Sequence, residues 1–197
     1  MPKSLFALVR ESIFQPRVAA RYIANVSPSS EVVFLGALLL AVASVLSQYL
    51  MFGFVSRALI DDWTMTFNMP FIDVAFQFIR IFVIAQVTVF LAKRISFDVQ
   101  LFDVVKVFVW YNLILQLLFG LTILVMLMFG LIGLLIILFT AFWAPYAAAL
   151  FWSELFDTKK LFLGFAIAVV AFLIASAISA VVAGFLGLPV MEIIPNV

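Results

Sequence analysis

The sequence of 197 residues has no cysteine and no histidine. Without thiols there is no disulfide and no thiolate metal ligand. Without imidazole there is no Ser-His or Cys-His nucleophile and no haem axial histidine. Charge is nearly as scarce: 11 Lys and Arg and 10 Asp and Glu supply 11% of the chain, against roughly 25% in soluble domains. The few basic residues are dispersed and the net charge is +1, which leaves no footprint for nucleic acid. There are only 8 glycines, and no ten-residue alternation of apolar and polar positions suggests a barrel strand. There is also no "HExxH", no "GxGD", no histidine-backed "GxSx" and no Asp-rich phosphotransferase motif. No enzyme activity and no cofactor are therefore expected, and the adjacent Asp61 and Asp62 read as a solvated loop.

What is present is apolar. Hydrophobic residues make up 68% of the chain, 24 of them Phe, and the mean hydropathy is +1.32. This is the composition of an all-α integral membrane protein. A span needs about 20 apolar residues at about 1.5 Å each. Residues 32–56 meet that without a charge, and 71–92 meet it despite Asp73 and Arg80. From Val107 to Ser153 no charged residue occurs; as one helix that stretch would be roughly 70 Å long, against a hydrocarbon core of about 30 Å. It must fold back, and Gly130 and Gly133 in "MFGLIGLL" mark the expected turn. The spans are then 32–56, 71–92, 104–128, 132–152 and 161–186. They form a five-helix transmembrane domain over 32–187, with a tail over 188–197 whose two prolines oppose helix.

The basic residues test that count independently. Lys3, Arg10, Arg17, Arg21, Lys93, Arg94, Lys106, Lys159 and Lys160 fall on one side, Arg57 alone on the other, and Arg80 within span two. Five spans with the N-terminus cytoplasmic and the C-terminus outside fit the positive-inside bias. Trp63, Trp110, Tyr111 and Trp152 lie near predicted boundaries, as interfacial aromatics do, while Trp143 and Tyr146 lie deeper.

Residues 1–31 are not a cleavable signal, because Arg10, Glu11, Arg17 and Arg21 interrupt any apolar run. "SLFALVRESIF" instead places Leu5, Leu8, Val9 and Ile13 on one face of an amphipathic interfacial helix, and Pro16 starts a second in "PRVAARYIANV". Ser29 or Ser30 is the expected cap of span one. Arg10, Arg17, Arg21, Lys93, Arg94, Lys159 and Lys160 are candidates for anionic lipid headgroups. The lead-in anchors the bundle or, alternatively, binds a partner or senses curvature.

Asp73, Gln77 and Arg80 share one helical face. Arg80 falls roughly 13 Å below the outer surface, where an arginine costs at least about 2.5 kcal/mol and must face protein or water. Side chains lean toward the helix N-terminus, which directs Arg80 toward Gln77 and Asp73 as an intrahelical relay. Asn112 and Gln116 in span three, Thr140 in span four, and Ser44 and Gln48 in span one lie at comparable depth. One buried polar layer joining spans one to four is predicted. It serves either as interhelical glue or as the wall of a hydrated cavity for an ion, a headgroup or a proton. In span five, Ala171, Ala175, Ser179, Ala183 and Gly187 recur every four residues, with Ser176, Ala180 and Gly184 in a second row. Such spacing suits a close helix contact inside the bundle or a seam between two copies. Pro145 in "FWAPY" is expected to free the carbonyl of Ala141 and kink span four.

Four stretches, "IFQPRVAARYI", "FDVVKVFVWYN", "WSELFDTKKLFLGFAIAVV" and "GLP", resemble Yip1-domain membrane proteins of the short bacterial type, over nearly the whole length. The resemblance implies this five-span topology in a bacterial inner membrane, and the helix contacts and basic amphipathic lead-in point to a membrane-organising, trafficking-like or complex-assembly role through lipid, protein partners or further copies. Eukaryotic members act in Golgi trafficking with small-GTPase partners bound through a longer cytosolic region. This sequence carries neither that region nor "DLYGP", so no GTPase partner is carried over. A small channel, transporter or lipid scramblase using the polar layer is the alternative.

Overall fold

The computed structural model describes residues 4–59, 70–158 and 160–185. Within them the chain is all-helical: α1 (Leu5–Phe14), α2 (Pro16–Asn25), α3 (Ser30–Leu59), α4 (Pro70–Arg94), α5 (Leu101–Met128), α6 (Gly130–Leu155) and α7 (Leu161–Phe185). The last five are long and apolar enough to cross a membrane. The expectations for Lys3, Asp61, Asp62, Trp63, Lys159, Gly187 and the tail lie outside the described residues, as do those for the side chains of Arg57, Ala183 and Gly184.

Each helix from α4 to α7 packs on the next, and α7 closes back on α4, so these four form a ring. On its outside, α3 lies against α4 and α5, and the α1–α2 pair lies against α5 and α6. Five crossings put α1, α2, the α4–α5 turn and the α6–α7 turn together at one end, called here the amino-terminal side.

Local chemistry explains the boundaries. Ser4 caps α1 by accepting from Ala7 N at 3.3 Å, and Pro16 opens α2 at its first position. Ser29, rather than Ser30, caps α3, its hydroxyl accepting from Val32 N at 3.5 Å. The turn between α5 and α6 is tighter than its glycines suggested. Phe129 alone breaks the helix, at φ −145° and ψ 71°, and Gly130 already belongs to α6. Gly133 is needed for proximity, since a Cβ there would lie 2.7 Å from Cα of Met126. α6 runs as one helix through Pro145.

Both turns on the amino-terminal side end in the same device. Ser96 (φ 65°) follows α4 and Asp157 (φ 45°) follows α6. Phe97 N then donates to Ala92 O and Thr158 N to Ser153 O, each at 3.0 Å. These are Schellman caps with a non-glycine residue in the left-handed position. The two are joined, because the Phe97 ring stacks on Phe156 at 5.4 Å and Phe156 on Trp152 at 6.0 Å. Beside them Gly164 admits α7 against α6, where a Cβ would meet the Trp152 carbonyl carbon at 2.9 Å.

The lead-in is bonded to the bundle. Lys106 is 8% exposed, and its ammonium donates to Ala24 O (3.0 Å), Val26 O (2.7 Å) and Asp103 Oδ1 (3.0 Å). Ala24 and Val26 carry carbonyls at the C-terminal end of α2, where helix geometry leaves acceptors unpaired and the macrodipole is negative, so Lys106 caps α2 from another helix. Arg17 and Arg21 both reach Glu154 at the end of α6, at 3.0 and 3.3 Å.

Candidate functional site

Six polar residues of the spans line one cavity of about 210 Å³ between α3, α4, α5 and α7. Ser44 and Gln48 enter it from α3, Gln77 and Arg80 from α4, and Asn112 and Gln116 from α5, with Phe172 of α7 closing one wall. The helix period aligns them. Residues three or four apart share a face, so 44 and 48, 77 and 80, and 112 and 116 each form a vertical pair. Depth matches as well: Arg80 lies fourteen residues from Arg94, about 21 Å, and Gln116 fifteen from Leu101, about 22 Å, both measured from the amino-terminal side.

Two expected members stand elsewhere. Asp73 is not in the cavity wall; its carboxylate accepts from the Tyr49 hydroxyl of α3 at 2.9 Å. Thr140 does not line the cavity, and its hydroxyl is buried without a partner among the described residues. The layer therefore joins spans one, two, three and five, and span four contributes nothing to it.

The intrahelical relay does not form. Asp73 and Arg80 are seven residues apart, about 10 Å along the axis, too far for an ion pair, and Gln77 makes no side-chain hydrogen bond among the described residues. Arg80 turns sideways instead. Its Nη2 donates to Ser176 Oγ of α7 at 3.2 Å, and its Cζ lies 5.3 Å from the Phe172 ring centroid. Ser176 was expected only as a packing residue in a row of small side chains. A depth count would have paired it with Arg80, since it lies fifteen residues from Leu161, about 22 Å from the same side.

The cavity's hydrogen bonding is unfinished. Gln116 Nε2 donates to Ser44 Oγ at 3.3 Å, and Asn112 Nδ2 donates to Phe108 O of its own helix at 2.8 Å. Among the described residues, Arg80 Nε and Gln116 Oε1 are buried with no partner. No carboxylate among the described residues lines the cavity. Among the described residues the guanidinium thus meets one hydroxyl and one ring face, and no carboxylate. Such a site can hold an anion or ordered water, with amides and hydroxyls as further donors.

The other candidates are placed as follows. Ala171 and Ala175 are fully buried inside the bundle, while Ser179 is half-buried and Ala180 exposed. Arg10, Lys93, Arg94 and Lys160 are exposed on the amino-terminal side, with Arg94 Cζ over its own helix's Phe90 ring at 5.1 Å. Arg17 and Arg21 are exposed too, but share Glu154. Sequence reasoning missed Lys106 as a cap and Tyr49 as the partner of Asp73. Tyr49 lies nineteen residues from Ser30 and Asp73 twenty-one from Arg94, so depth again held the signal. No family model, curated protein or solved structure matches the chain.

Proposed function

We propose that the protein is an integral membrane protein that receives an anionic polar group, a phospholipid headgroup or a small anion, in the Arg80 cavity, and so moves or retains lipid or solute without catalysing a reaction. The observation that carries this reading is the Arg80 guanidinium, which meets no carboxylate among the described residues. A charge at the bilayer centre costs at least about 2.5 kcal/mol; one serine hydroxyl and one aromatic face offset part of that and leave the charge in place. Amides on three walls complete a site for oxygen-rich anions. The distribution of Lys and Arg in the sequence supports a cytoplasmic N-terminus.

A second reading, a Yip1-like membrane-organising or assembly role, is favoured by one specific arrangement. Three of the stretches that carry the resemblance meet: Arg17 and Arg21 of "IFQPRVAARYI" pair with Glu154 of "WSELFDTKK", and Ala19, Ala20 and Ile23 of the first share one apolar cluster with Val107 of "FDVVKVFVWYN" and Leu155 of the third.

The test is reconstitution into vesicles of phosphatidylcholine and phosphatidylglycerol. Lipid exchange between leaflets and chloride or phosphate flux are measured for the natural protein and for Arg80→Gln, with monodispersity as the folding check. Exchange or flux that disappears in a folded Arg80→Gln supports the cavity. Equal rates in both proteins, or none in either, remove it and leave the organising role.

A further inference from the structure

The α1–α2 pair packs along the sides of α5 and α6. Its contacts descend along α5 and α6: Leu8 packs with Val107 and Phe151, Ser12 bonds Trp110, and Ile13 bonds Trp143. Lys106 and Glu154 set a charged level on those helices. Trp110 lies four residues beyond Lys106, about 6 Å, and Trp143 eleven residues from Glu154, about 16 Å, toward the bilayer centre. A leaflet's hydrocarbon is about 15 Å thick. The end of α1 therefore reaches well into one leaflet.

The hydrogen bonding at that end is independent of the depth count. Ile13 O belongs to the last turn of α1, whose carbonyls have no donor within the helix. Water would meet such a group at a surface; here the Trp143 indole Nε1 donates to it at 2.9 Å. The Ser12 hydroxyl is fully buried, donating to Leu8 O at 2.8 Å and accepting from Trp110 Nε1 at 2.9 Å. Closing polar groups with protein donors is what a water-free surrounding requires. Arg17, one residue after Pro16, reaches back to Glu154 as a snorkelling side chain does. On the outward face Phe14 is 76% exposed, although it sits at the tip between the two helices.

We propose that α1 and α2 form a re-entrant hairpin inserted only into the leaflet on the amino-terminal side, with Phe14 and Val18 set against lipid acyl chains. The amphipathic pattern of a surface helix is kept, but the apolar tip is buried and α2 returns to the charged level, where Lys106 caps it. The hairpin takes up room in one leaflet and none in the other.

Because the chain has no cysteine, one introduced thiol defines one label. Phe6→Cys and Phe14→Cys are nitroxide-labelled in phosphatidylcholine and phosphatidylglycerol vesicles, and accessibility to oxygen and to a water-soluble nickel chelate is measured. The two positions are eight residues apart, about 12 Å along α1. The label at 14 is expected in the hydrocarbon, accessible to oxygen and shielded from nickel, and the label at 6 near the headgroups. Equal, headgroup-level depths for both overturn the hairpin and leave a flat helix. If Phe14→Cys does not assemble, Val18→Cys is read the same way: a hydrocarbon position supports the proposal, and a nickel-accessible one refutes it.

Discussion

Replacing Lys106 by Met keeps an unbranched apolar stem of similar length and removes the ammonium, so it isolates the cross-helix cap. Three acceptors lose their donor: Ala24 O, Val26 O and Asp103 Oδ1. Hydrogen bonds to a charged group contribute about 1.5–3 kcal/mol each, and breaking a buried pair costs about 3–5 kcal/mol. Asp103 is 43% exposed and rehydrates, and the α2 carbonyls sit near the charged level, so the lower end applies, about 3 kcal/mol. A domain of this size loses about 2–4 °C per kcal/mol, which gives a fall in Tm of about 6–12 °C. The loss should also be local. Amide exchange across 16–26 should rise strongly in Lys106→Met, while α4 and α7, which do not touch α2, keep their protection. Thermal unfolding in mild detergent, followed by size-exclusion, and exchange mass spectrometry read the two effects. A Tm within 2 °C of the natural protein with unchanged exchange over 16–26 would show that Lys106 does not hold α2.

Further outcomes follow from the same geometry. Gly133→Ala forces a Cβ to 2.7 Å from Met126 Cα and should cost about 1–3 kcal/mol, whereas Gly130→Ala meets nothing within 4 Å and should leave Tm unchanged or higher; the reverse order in thermal unfolding would contradict the close-approach account of the α5–α6 turn. Gly164→Ala pushes against the Trp152 backbone at 2.9 Å and should fall in the same destabilising class, read by the same assay. Glu154→Gln removes a pair whose arginines are 67% and 65% exposed, so its cost should stay below about 1 kcal/mol, and a Tm loss beyond about 4 °C would mean that the pair is not solvent-screened.

The spans were legible because length, charge gaps and the side of each Lys and Arg all constrain the same count. The depth of the polar residues was legible too: six of the eight proposed for the layer line one cavity. Azimuth was not. The N-terminal lean of side chains gives a direction along an axis but not which neighbour a residue meets, and the closure of α7 onto α4 decided that Arg80 faces Ser176 instead of Asp73. The same blindness placed Thr140 in the layer, since its depth is right and its face is wrong. The α5–α6 turn was placed by glycine's conformational freedom, whereas the turn needs its small volume. The bond from Lys106 to α2 joins residues 80 and 82 positions apart, which no local pattern encodes.

The measurement closest to the central claim is the surroundings of the Arg80 side chain in a bilayer. Water- and phosphorus-edited solid-state NMR on arginine-labelled protein, with Arg80→Gln to assign the signal, reads it directly. The Arg80 guanidinium should receive magnetisation from water or lipid phosphorus and none from a carboxylate carbon. A dry guanidinium in contact with a carboxylate would contradict this reading of the Arg80 site and the cavity function built on it.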